Sequence, residues 1–549
     1  MNDGTNIWNY ANIWESIAAA QPLENAVVQG EDTVSWGEFD RQADGLANFL
    51  VDQGLEQGAS VAVYSPNRAE FLVGYFAAFK AGLTPLNINY RYTSSELAYL
   101  IDNADAKAVL FDIAYAKIIE EVRETLGTVT RWIAIGADED NCPDWAARYE
   151  EAVATAPASR PYEAPWGRSN KDLLMIYTGG TTGMPKGVMW RLHDLLAKSE
   201  FGAVPMLGVP PLERPEDAGP RAVASPIKSR SLIAPPLMHA TGLLTSFAAL
   251  VSGGTVILLP TGKFSAEEML DIAARHKATR CTIVGEPFAQ PLLAALDAEP
   301  GRWDLSSLLL MTSSGAMWTR ETKLGLIRHM PQVNLIDSYS SSEALGMGMS
   351  VTNAQGETET ARFETGETCA VFTEDHRRIE PGSGEKGMLA VGGYCPIGYY
   401  KDEEKSAKTF PVIDGERWSM PGDWAMVNED GTLEILGRGS QCINSGGEKI
   451  FPEEVEEALR RHEAVRDVAV TGLPDPRWGE RICAVVELMP GAENPGDVSL
   501  ADWVHGQLAD YKTPRSFVYV ESVGRAPNGK LDYKAIKQTA LEAEEKAIA

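Results

Sequence analysis

The sequence predicts an α/β fold: a large N-terminal domain of parallel, helix-covered sheets with a small barrel-like β unit, followed by a small α+β C-terminal domain. Short β-rich runs alternate with helical segments over most of the 549 residues, which is the pattern of parallel sheets covered by helices. Near residue 384 the pattern changes to short strands separated by turn residues, which indicates an antiparallel or barrel-like unit. A compact run of helices and strands follows.

The alternation is clearest in the first part of the chain. Residues 60–66 predict a short strand, and residues 67–82 predict an amphipathic helix that ends at a glycine. Residues 83–90 are extended, 93–104 form a helix with a Ser/Thr cap, and 106–112 form a strand. The same rhythm of helices and strands returns in the segments 266–278, 279–287, 308–316, 319–330 and 333–346.

The later part of the chain has shorter elements. The predicted strands and helices there are the segments 387–393, 418–427, 431–437, 451–462, 465–475, 481–491 and 499–511. We place a domain boundary near Gly439 and Ser440, which gives an N-terminal domain of residues 1–438 and a C-terminal domain of residues 439–549. The stretch from Phe201 to Arg230 contains six prolines and little periodicity, so it predicts a surface excursion or lid.

Composition and charge restrict the function. The chain has 49 basic and 77 acidic residues and a net charge of −28, which disfavours binding to nucleic acid or anionic lipid. A local pocket can still hold an anionic small ligand. The six cysteines are scattered without a CxxC pair, so we expect a reducing, cytoplasmic location. The N-terminus lacks the pattern of a signal peptide, and the apolar window 243–260 predicts a helix and a buried strand, not a membrane span.

The segment "YTGGTTGMPKG" at 177–187 predicts a phosphate-binding loop. It contains four glycines, three threonines and one lysine, and it lies between a strand and a segment (188–201) that can be helical. Glycines let backbone N–H groups approach oxygens, while threonine hydroxyls and the lysine add donors and positive charge. The loop is not a Walker A sequence, because no Gly-Lys-Ser/Thr occurs in it. Taken alone, it could equally be a flexible connector.

Six strings in order resemble the AMP-forming acyl-CoA synthetases, members of the adenylate-forming superfamily. Besides the loop, the strings are "PPLMHATG" (235–242), "SSGA" (313–316), "DSYSSSE" (337–343), "PGDWA" (421–425), "GRGSQCINSGGEKIFPEEVE" (437–456) and "PNGKLD" (527–532). The resemblance covers nearly the whole chain. It implies an enzyme that forms an acyl-adenylate from a carboxylic acid and ATP and then transfers the acyl group to the thiol of CoA.

The resemblance also implies roles for individual residues. Lys530 would bridge the carboxylate and the α-phosphate, Lys186 would hold the leaving phosphates, and Thr182 and Glu343 would position Mg²⁺. His239 belongs to the acyl-pocket motif. The implied ATP-binding residues are Thr178, Gly179, Gly180, Thr181, Thr182, Gly183, Lys186, Ser314, Gly315, Ala316, Asp337, Ser338, Tyr339, Ser342, Asp423, Arg438 and Lys530.

In the family, one site serves both half-reactions because the small C-terminal domain is mobile and rotates about a hinge. The hinge aligns with Ser440, where many relatives have Asp or Lys. After rotation, Gly446, Gly447 and Glu448 would give CoA access to the active site. A further departure is Ser340, which replaces the usual glycine.

Each of these residues also has a structural interpretation. Glu343 and Asp423 could be helix-cap or surface carboxylates, Lys530 a solvated turn lysine, His239 a hydrogen-bonded core histidine, and Tyr339 a core aromatic. The order and spacing of the strings, more than any one residue, favour the functional roles.

The resemblance is closest to bacterial synthetases that act on bulky acids, namely fatty acids, steroid side-chain carboxylates or aryl-alkanoic acids. The main alternative is an adenylation enzyme that loads a carrier-protein thiol. Two further alternatives are a luciferase-like oxygenase and a catalytically silent nucleotide-binding protein. The expected partners are the acid, ATP and CoA, with the oligomeric state left open between a monomer and a homodimer.

Overall fold

The computed structural model describes most of the chain as two compact units. The described residues are 6–155, 161–178, 184–205, 208–260, 264–316, 318–356, 362–366, 368–441, 443–445, 448–475, 479–508, 510–526 and 531–548. The N-terminal unit comprises residues 1–346, 351–358 and 392–419, and the C-terminal unit comprises residues 347–350, 359–391 and 420–549. The boundary at residues 438 and 439 therefore stays a prediction.

The helices and strands follow the predicted alternation. The α-helices are α1 (Tyr10–Ala20), α2 (Trp36–Asp52), α3 (Ala69–Lys80), α4 (Ser94–Asn103), α5 (Ala116–Val122), α6 (Tyr149–Ala154), α7 (Leu192–Lys198), α8 (Ala218–Ala224), α9 (Ala240–Val251), α10 (Ala266–Arg275), α11 (Glu286–Ala298), α12 (Arg320–His329), α13 (Glu403–Thr409), α14 (Pro452–Arg460), α15 (Asp497–His505) and α16 (Tyr533–Ile548). In the described part of the chain, no helix is long and apolar enough to cross a membrane.

The strands are short, as expected for a chain of many alternating elements. They are β1 (Asn25–Gln29), β2 (Asp32–Ser35), β3 (Ser60–Tyr64), β4 (Thr84–Asn87), β5 (Ala106–Asp112), β6 (Arg131–Ile135), β7 (Ala147–Arg148), β8 (Leu173–Thr178), β9 (Lys186–Arg191), β10 (Arg230–Ile233), β11 (Thr255–Leu258), β12 (Arg280–Ile283), β13 (Leu310–Ser313), β14 (Asn334–Tyr339), β15 (Gly348–Thr352), β16 (Arg362–Phe363), β17 (Cys369–Phe372), β18 (Lys386–Val391), β19 (Gly398–Tyr399), β20 (Val412–Ile413), β21 (Glu416–Arg417), β22 (Asp423–Val427), β23 (Leu433–Arg438), β24 (Ile443–Ser445), β25 (Glu448–Ile450), β26 (Val465–Asp475), β27 (Gly479–Leu488) and β28 (Ser516–Val520).

The N-terminal unit is built on two mostly parallel sheets. Within this unit the first sheet has the strand order β14-β13-β12-β10-β11-β1-β2, and the second has the order β19-β9-β8-β4-β3-β5-β6-β7. Buried residues of both sheets and of helices α1, α2, α3 and α9 belong to one core. Its centre is aromatic: the ring centroids of Trp14 and Phe76 are 5.1 Å apart, and those of Phe79 and Phe247 are 5.8 Å apart. The predicted parallel, helix-covered sheets are confirmed.

The C-terminal unit has antiparallel and mixed sheets. Its first sheet has the order β16-β23-β22-β18-β17 and is antiparallel, as the turn-rich sequence after residue 384 predicts. Its second sheet has the order β25-β24-β27-β26, with β28 added parallel to β27. Helix α14 has a proline at its first position, Pro452, because a helix start needs no N–H there.

The predicted transition from the phosphate loop directly to a helix is wrong. Residues 186–191 form β9, which pairs antiparallel with β8, and helix α7 begins only at Leu192. The segment prefers a strand because Val188 and Trp190 are fully buried on one face of it. The loop therefore joins the two strands of a hairpin, and no helix N-terminus follows it directly.

The prediction of a surface excursion between Phe201 and Arg230 is also wrong. The segment contains helix α8, whose residues Ala218, Gly219 and Ala222 are buried, and α8 packs against α1. A Cβ atom at Gly219 would lie 2.4 Å from the carbonyl oxygen of Ser16, so this close packing requires glycine. The prolines interrupt the helical periodicity, and for this reason α8 could not be predicted from the sequence.

Candidate active site

The hairpin of β8 and β9 places Thr178 opposite Lys186, so both ends of the predicted phosphate loop are fixed in register. Gly187 pairs with Tyr177, and a Cβ atom at Gly187 would lie 2.8 Å from Cε2 of the tyrosine ring. The glycine therefore allows the aromatic ring to lie across the neighbouring strand. The predicted loop residues Gly179, Gly180, Thr181, Thr182 and Gly183 lie outside the described residues.

A buried asparagine ties this hairpin to the segment that leads to His239. Asn87 Nδ2 donates to the carbonyl oxygens of Tyr177, at 2.9 Å, and Met238, at 2.6 Å, while its Oδ1 accepts from the N–H of Tyr177 at 2.9 Å. The sequence analysis missed this residue, which lies at the end of the apolar strand β4. Because the bonds join main-chain groups on both sides, Asn87 sets the spacing between the phosphate loop and the predicted acyl-pocket motif.

A second asparagine holds the same motif from the other side. Asn67 Nδ2 donates to Pro235 O at 3.1 Å, and its Oδ1 accepts from Leu237 N at 2.7 Å. The half-buried His239 follows directly and occupies the N-cap position of α9. Its place in an acyl pocket stays a prediction.

Lys186 forms an ion pair with Asp402, the N-cap residue of helix α13. The hydrogen bond from Lys186 is the main reason that the pKa of Asp402 is lowered, and the N–H of Lys405, at 3.0 Å from Oδ1, adds to the effect. The side chain of Lys186 is one-third exposed.

Glu343 is held at both its side chain and its main chain. The hydroxyl of Tyr399 donates to Glu343 Oε1 at 2.8 Å, and Ser419 Oγ donates to the carbonyl oxygen of Glu343 at 2.6 Å. Trp190 Nε1 donates to the carbonyl oxygen of the preceding Ser342 at 2.9 Å. Among the residues that the structure describes, none donates to Glu343 Oε2. An oriented carboxylate with one available oxygen is a suitable ligand for Mg²⁺.

The predicted adenine-binding residues follow two neighbouring parallel strands, β13 and β14. Ser313 Oγ accepts from Gly285 N at 2.8 Å, and Gly315 has a φ of +98°, which a residue with a Cβ rarely adopts. The structure thus places Ser314, Gly315 and Ala316 in a sharp turn at the carboxyl end of β13. In parallel sheets, ligands commonly bind at this end of the strands.

Asp337 lies on β14 and forms an ion pair with Lys323, a nearly fully buried lysine of α12 that the sequence analysis missed. Burial raises the pKa of Asp337, although the ammonium of Lys323 opposes this. Ser338 Oγ lies 3.4 Å from Ser340 Oγ, and Tyr339 ends the strand half-buried. The ion pair fixes the strand from which these predicted nucleotide-binding residues extend.

Other predicted residues belong to the C-terminal unit. Asp423 is only 3% exposed and pairs with Arg438 across strands β22 and β23. Ser440 lies in a single helical turn, Gly439–Gln441, directly after β23. Glu448 pairs with Ser445 in the hairpin of β24 and β25. The remaining predicted residues, Gly446, Gly447 and Lys530, lie outside the described residues.

Comparison with protein families decides the identity. The family model of AMP-binding enzymes matches residues 14–400, and the model of their C-terminal domain matches residues 454–530. The chain belongs to the AMP-binding enzyme family. Within this family it is an AMP-forming acyl-CoA synthetase, an acid–thiol ligase, which confirms the resemblance predicted from the sequence.

Similar proteins include CoA ligases of Mycobacterium and Rhodococcus species. A medium/long-chain-fatty-acid–CoA/3-oxocholest-4-en-26-oate–CoA ligase of Mycobacterium tuberculosis is 37% identical over 533 residues, which are 96% of each chain. A 3-oxocholest-4-en-26-oate–CoA ligase of Rhodococcus rhodochrous is 37% identical over 97% of this chain and 96% of its own length. Among solved structures, the anthranilate CoA ligase AuaEII with bound anthranoyl-AMP matches with a TM-score of 0.82 and 22% identity over 98% of each chain. The last match confirms the fold.

Proposed function

We propose that this AMP-binding enzyme joins a bulky or medium- to long-chain apolar carboxylic acid to CoA at the expense of ATP. The proposed class of acid is supported by the 37% identity, over nearly the full length, to ligases named for fatty acids and for a steroid side-chain acid. Aryl-alkanoic acids, the third class of acid predicted from the sequence, are not named among these ligases and are included in the acid panel.

The chemistry needs an acyl group with a good leaving group. A carboxylate oxygen attacks the α-phosphorus of ATP, pyrophosphate leaves, and an acyl-adenylate forms. The CoA thiol then attacks the acyl carbon, and AMP leaves. The first step brings two anions together, so positive charge must lie near both of them.

We assign the residues of this enzyme to that chemistry by their place in the family motifs. Lys530 lies between the carboxylate and the α-phosphate during adenylation. Thr178, Lys186 and the loop residues Gly179, Gly180, Thr181, Thr182 and Gly183 hold the β- and γ-phosphates. Glu343 and Thr182 would hold Mg²⁺, which would neutralise phosphate charge. The support from the structure is the oriented Glu343 carboxylate and the partly exposed side chain of Lys186.

The remaining nucleotide contacts divide between base and ribose. Tyr339 stacks on adenine, and the turn at Ser314, Gly315 and Ala316 forms the wall beside it. Asp423 accepts hydrogen bonds from the ribose hydroxyls. Asp337, Ser338, Ser342 and Arg438 complete the proposed ATP site. His239 lines the edge of the acyl pocket, and its half-buried place before α9 supports this assignment.

For the second step we propose that a C-terminal domain of residues 439–549 rotates about Ser440. Gly446, Gly447 and Glu448 then line the access path of CoA, where glycines leave room for the narrow pantetheine arm. A small residue at the hinge does not prevent rotation. We further propose a cytoplasmic location and a homodimer.

The test is a panel of short, long, aryl and steroid acids with ATP, Mg²⁺ and CoA, read as AMP formed. We expect AMP formation with long-chain and steroid acids and little with short or aryl acids. Replacing CoA with a carrier protein tests the alternative thiol acceptor and should abolish thioester formation. AMP formation only with short or aryl acids would contradict the proposed substrate class.

A further inference from the structure

One turn, residues 399–402, contacts both Glu343 and Lys186. Strand β19 enters it by pairing Tyr399 with Val188 of β9, and the N–H of Tyr400 donates to Gly187 O at 2.8 Å. The turn is thus joined by main-chain hydrogen bonds to the strand that begins at Lys186. Its place relative to the phosphate loop is set by this pairing.

The turn is also closed on itself and anchored to the turn between α4 and β5. Ser406 Oγ accepts from Tyr399 N at 2.8 Å and donates to the carbonyl oxygen of Asp402 at 2.6 Å. On the outer side, Tyr400 OH and Lys401 Nζ both lie 2.8 Å from Oδ2 of Asp105. A short turn held at so many points keeps the side chains at its two ends in fixed positions.

The side chains at those two ends have different partners. Tyr399 is 4% exposed, its ring lies 5.5 Å from that of Phe410, and its hydroxyl donates to Glu343 Oε1. Asp402 bonds Lys186 through Oδ2 and caps helix α13 through Oδ1. Tyr399 and Asp402 can therefore affect substrate binding indirectly, through the positions of Glu343 and Lys186.

We propose that Tyr399 and Asp402 are positioning residues for the adenylation step. Tyr399 fixes the Glu343 carboxylate through Oε1, so that Oε2 would be available to a bound Mg²⁺, and Asp402 fixes the Lys186 ammonium at the base of the phosphate loop. Outer partners of metal ligands typically change metal affinity by about 10- to 100-fold when removed. This inference rests on the proposed function, because it assumes that Glu343 and Lys186 serve Mg²⁺ and the phosphates.

The first test compares Tyr399→Phe with Tyr400→Phe. Both variants lose one hydroxyl from the same turn, but only the first loses the bond to Glu343, and Lys401 still holds Asp105 in the second. The readout is Mn²⁺ binding to the full chain saturated with a non-hydrolysable ATP analogue, followed by electron paramagnetic resonance of free Mn²⁺. We expect affinity to fall about tenfold in Tyr399→Phe only.

A second readout separates positioning from general damage. In Tyr399→Phe, the Mg²⁺ concentration for half-maximal pyrophosphate release should rise about tenfold, while excess Mg²⁺ restores the maximal rate. Equal Mn²⁺ affinities in the two variants and the wild type would overturn the role of Tyr399. A lower rate at every Mg²⁺ concentration, without a shift in the titration, would also overturn it.

The second test compares Asp402→Asn with Glu404→Gln on the same helix. Asparagine keeps the helix cap but loses the charge that faces Lys186, whereas Glu404 pairs with the exposed Lys408 and not with Lys186. We expect ATP affinity to fall up to about fivefold in Asp402→Asn, as for a partly exposed ion pair. Unchanged or tighter ATP binding would overturn the role of Asp402.

The experiments distinguish an error in the positioning roles from an error in the proposed function. If the wild-type enzyme forms no AMP with any acid, the proposed function is wrong, while Mn²⁺ binding to the enzyme–nucleotide complex is still measurable. If the wild type is active but the variants titrate like it, only the positioning roles are wrong.

Discussion

Asn87 holds the main chain of Tyr177 from both sides: its Nδ2 donates to Tyr177 O and its Oδ1 accepts from Tyr177 N, each at 2.9 Å. With the third bond, to Met238 O, one buried amide satisfies three main-chain groups. A buried polar group that loses its partner is costly, so this residue affects stability as well as the spacing of the site.

We expect Asn87→Leu to destabilise the enzyme by about 3 kcal/mol, because it leaves buried main-chain groups without partners. The free energy of unfolding is measured by urea titration. Asn48→Leu is the matched control, because the side chain of Asn48 donates to the side chain of Asp52 at the surface of α2. Similar unfolding midpoints for both variants would contradict the role given to Asn87.

Gly187→Ala should distort the hairpin that carries Lys186. The added Cβ would lie 2.8 Å from the ring of Tyr177, whose hydroxyl is held by Asn103 at 2.8 Å, so the ring cannot easily move. We expect a loss of about 1 to 3 kcal/mol in stability and weaker ATP binding, measured by calorimetry. Gly127→Ala, where nothing lies within 4 Å of the new Cβ, should behave like the wild type.

Lys323→Met should destabilise the enzyme by about 3 to 5 kcal/mol at pH 7, because it leaves Asp337 as an unpaired buried charge. The folded-state pKa of Asp337 is already raised by burial, and loss of the ammonium raises it further. A carboxyl group whose pKa is raised in the folded state stabilises the fold at low pH, where it is protonated. This stabilisation is lost as the pH rises through the folded-state pKa. The destabilisation should therefore be smaller at pH 5 than at pH 7.

Urea unfolding of Lys323→Met and the wild type at both pH values measures this difference. In the double variant Lys323→Met/Asp337→Asn neither charge remains, so we expect it to be more stable at pH 7 than the single variant. A destabilisation that is the same at pH 5 and pH 7 would show that Asp337 is not its cause.

Lys530→Ala should retain ATP binding and lose pyrophosphate release by roughly 100- to 1,000-fold, as expected when a charge that stabilises the transition state is removed. Pyrophosphate is followed with a coupled assay, and ATP binding by calorimetry. Lys534→Ala removes an exposed lysine of α16 and serves as the control. Release at the wild-type rate in Lys530→Ala would refute the catalytic role.

Local signals in the sequence were sufficient for much of the fold. Thr93 and Glu96 form the capping box that the Ser/Thr start of α4 predicts, and Pro452 begins α14. The apolar window at 243–260 is a helix and a buried strand, as its interrupting polar residues indicate. These features depend on neighbours within a few residues, and such neighbours are visible in the sequence.

Features that depend on distant partners could not be predicted in the same way. Nothing near Lys323 in the sequence predicts that it is buried, because its partner Asp337 lies on the following strand. Tyr399 gains its partner Glu343 from 56 residues away. Of the segment 188–201, for which the sequence predicts a helix, residues 192–198 are helical, but the part before Leu192 belongs to β9 because burial of Trp190 is a tertiary effect that overrides local propensity.

The packing of α8 on α1 has a consequence for synthesis of the chain. Ser16 and Gly219, which bond at 3.0 Å, are 203 residues apart in sequence. At ribosomal speeds of about 5 to 20 residues per second, α8 is synthesised roughly 10 to 40 s after α1. Throughout that interval one side of α1 is uncovered, so nascent chains should engage chaperones through this helix until translation passes the proline-rich stretch.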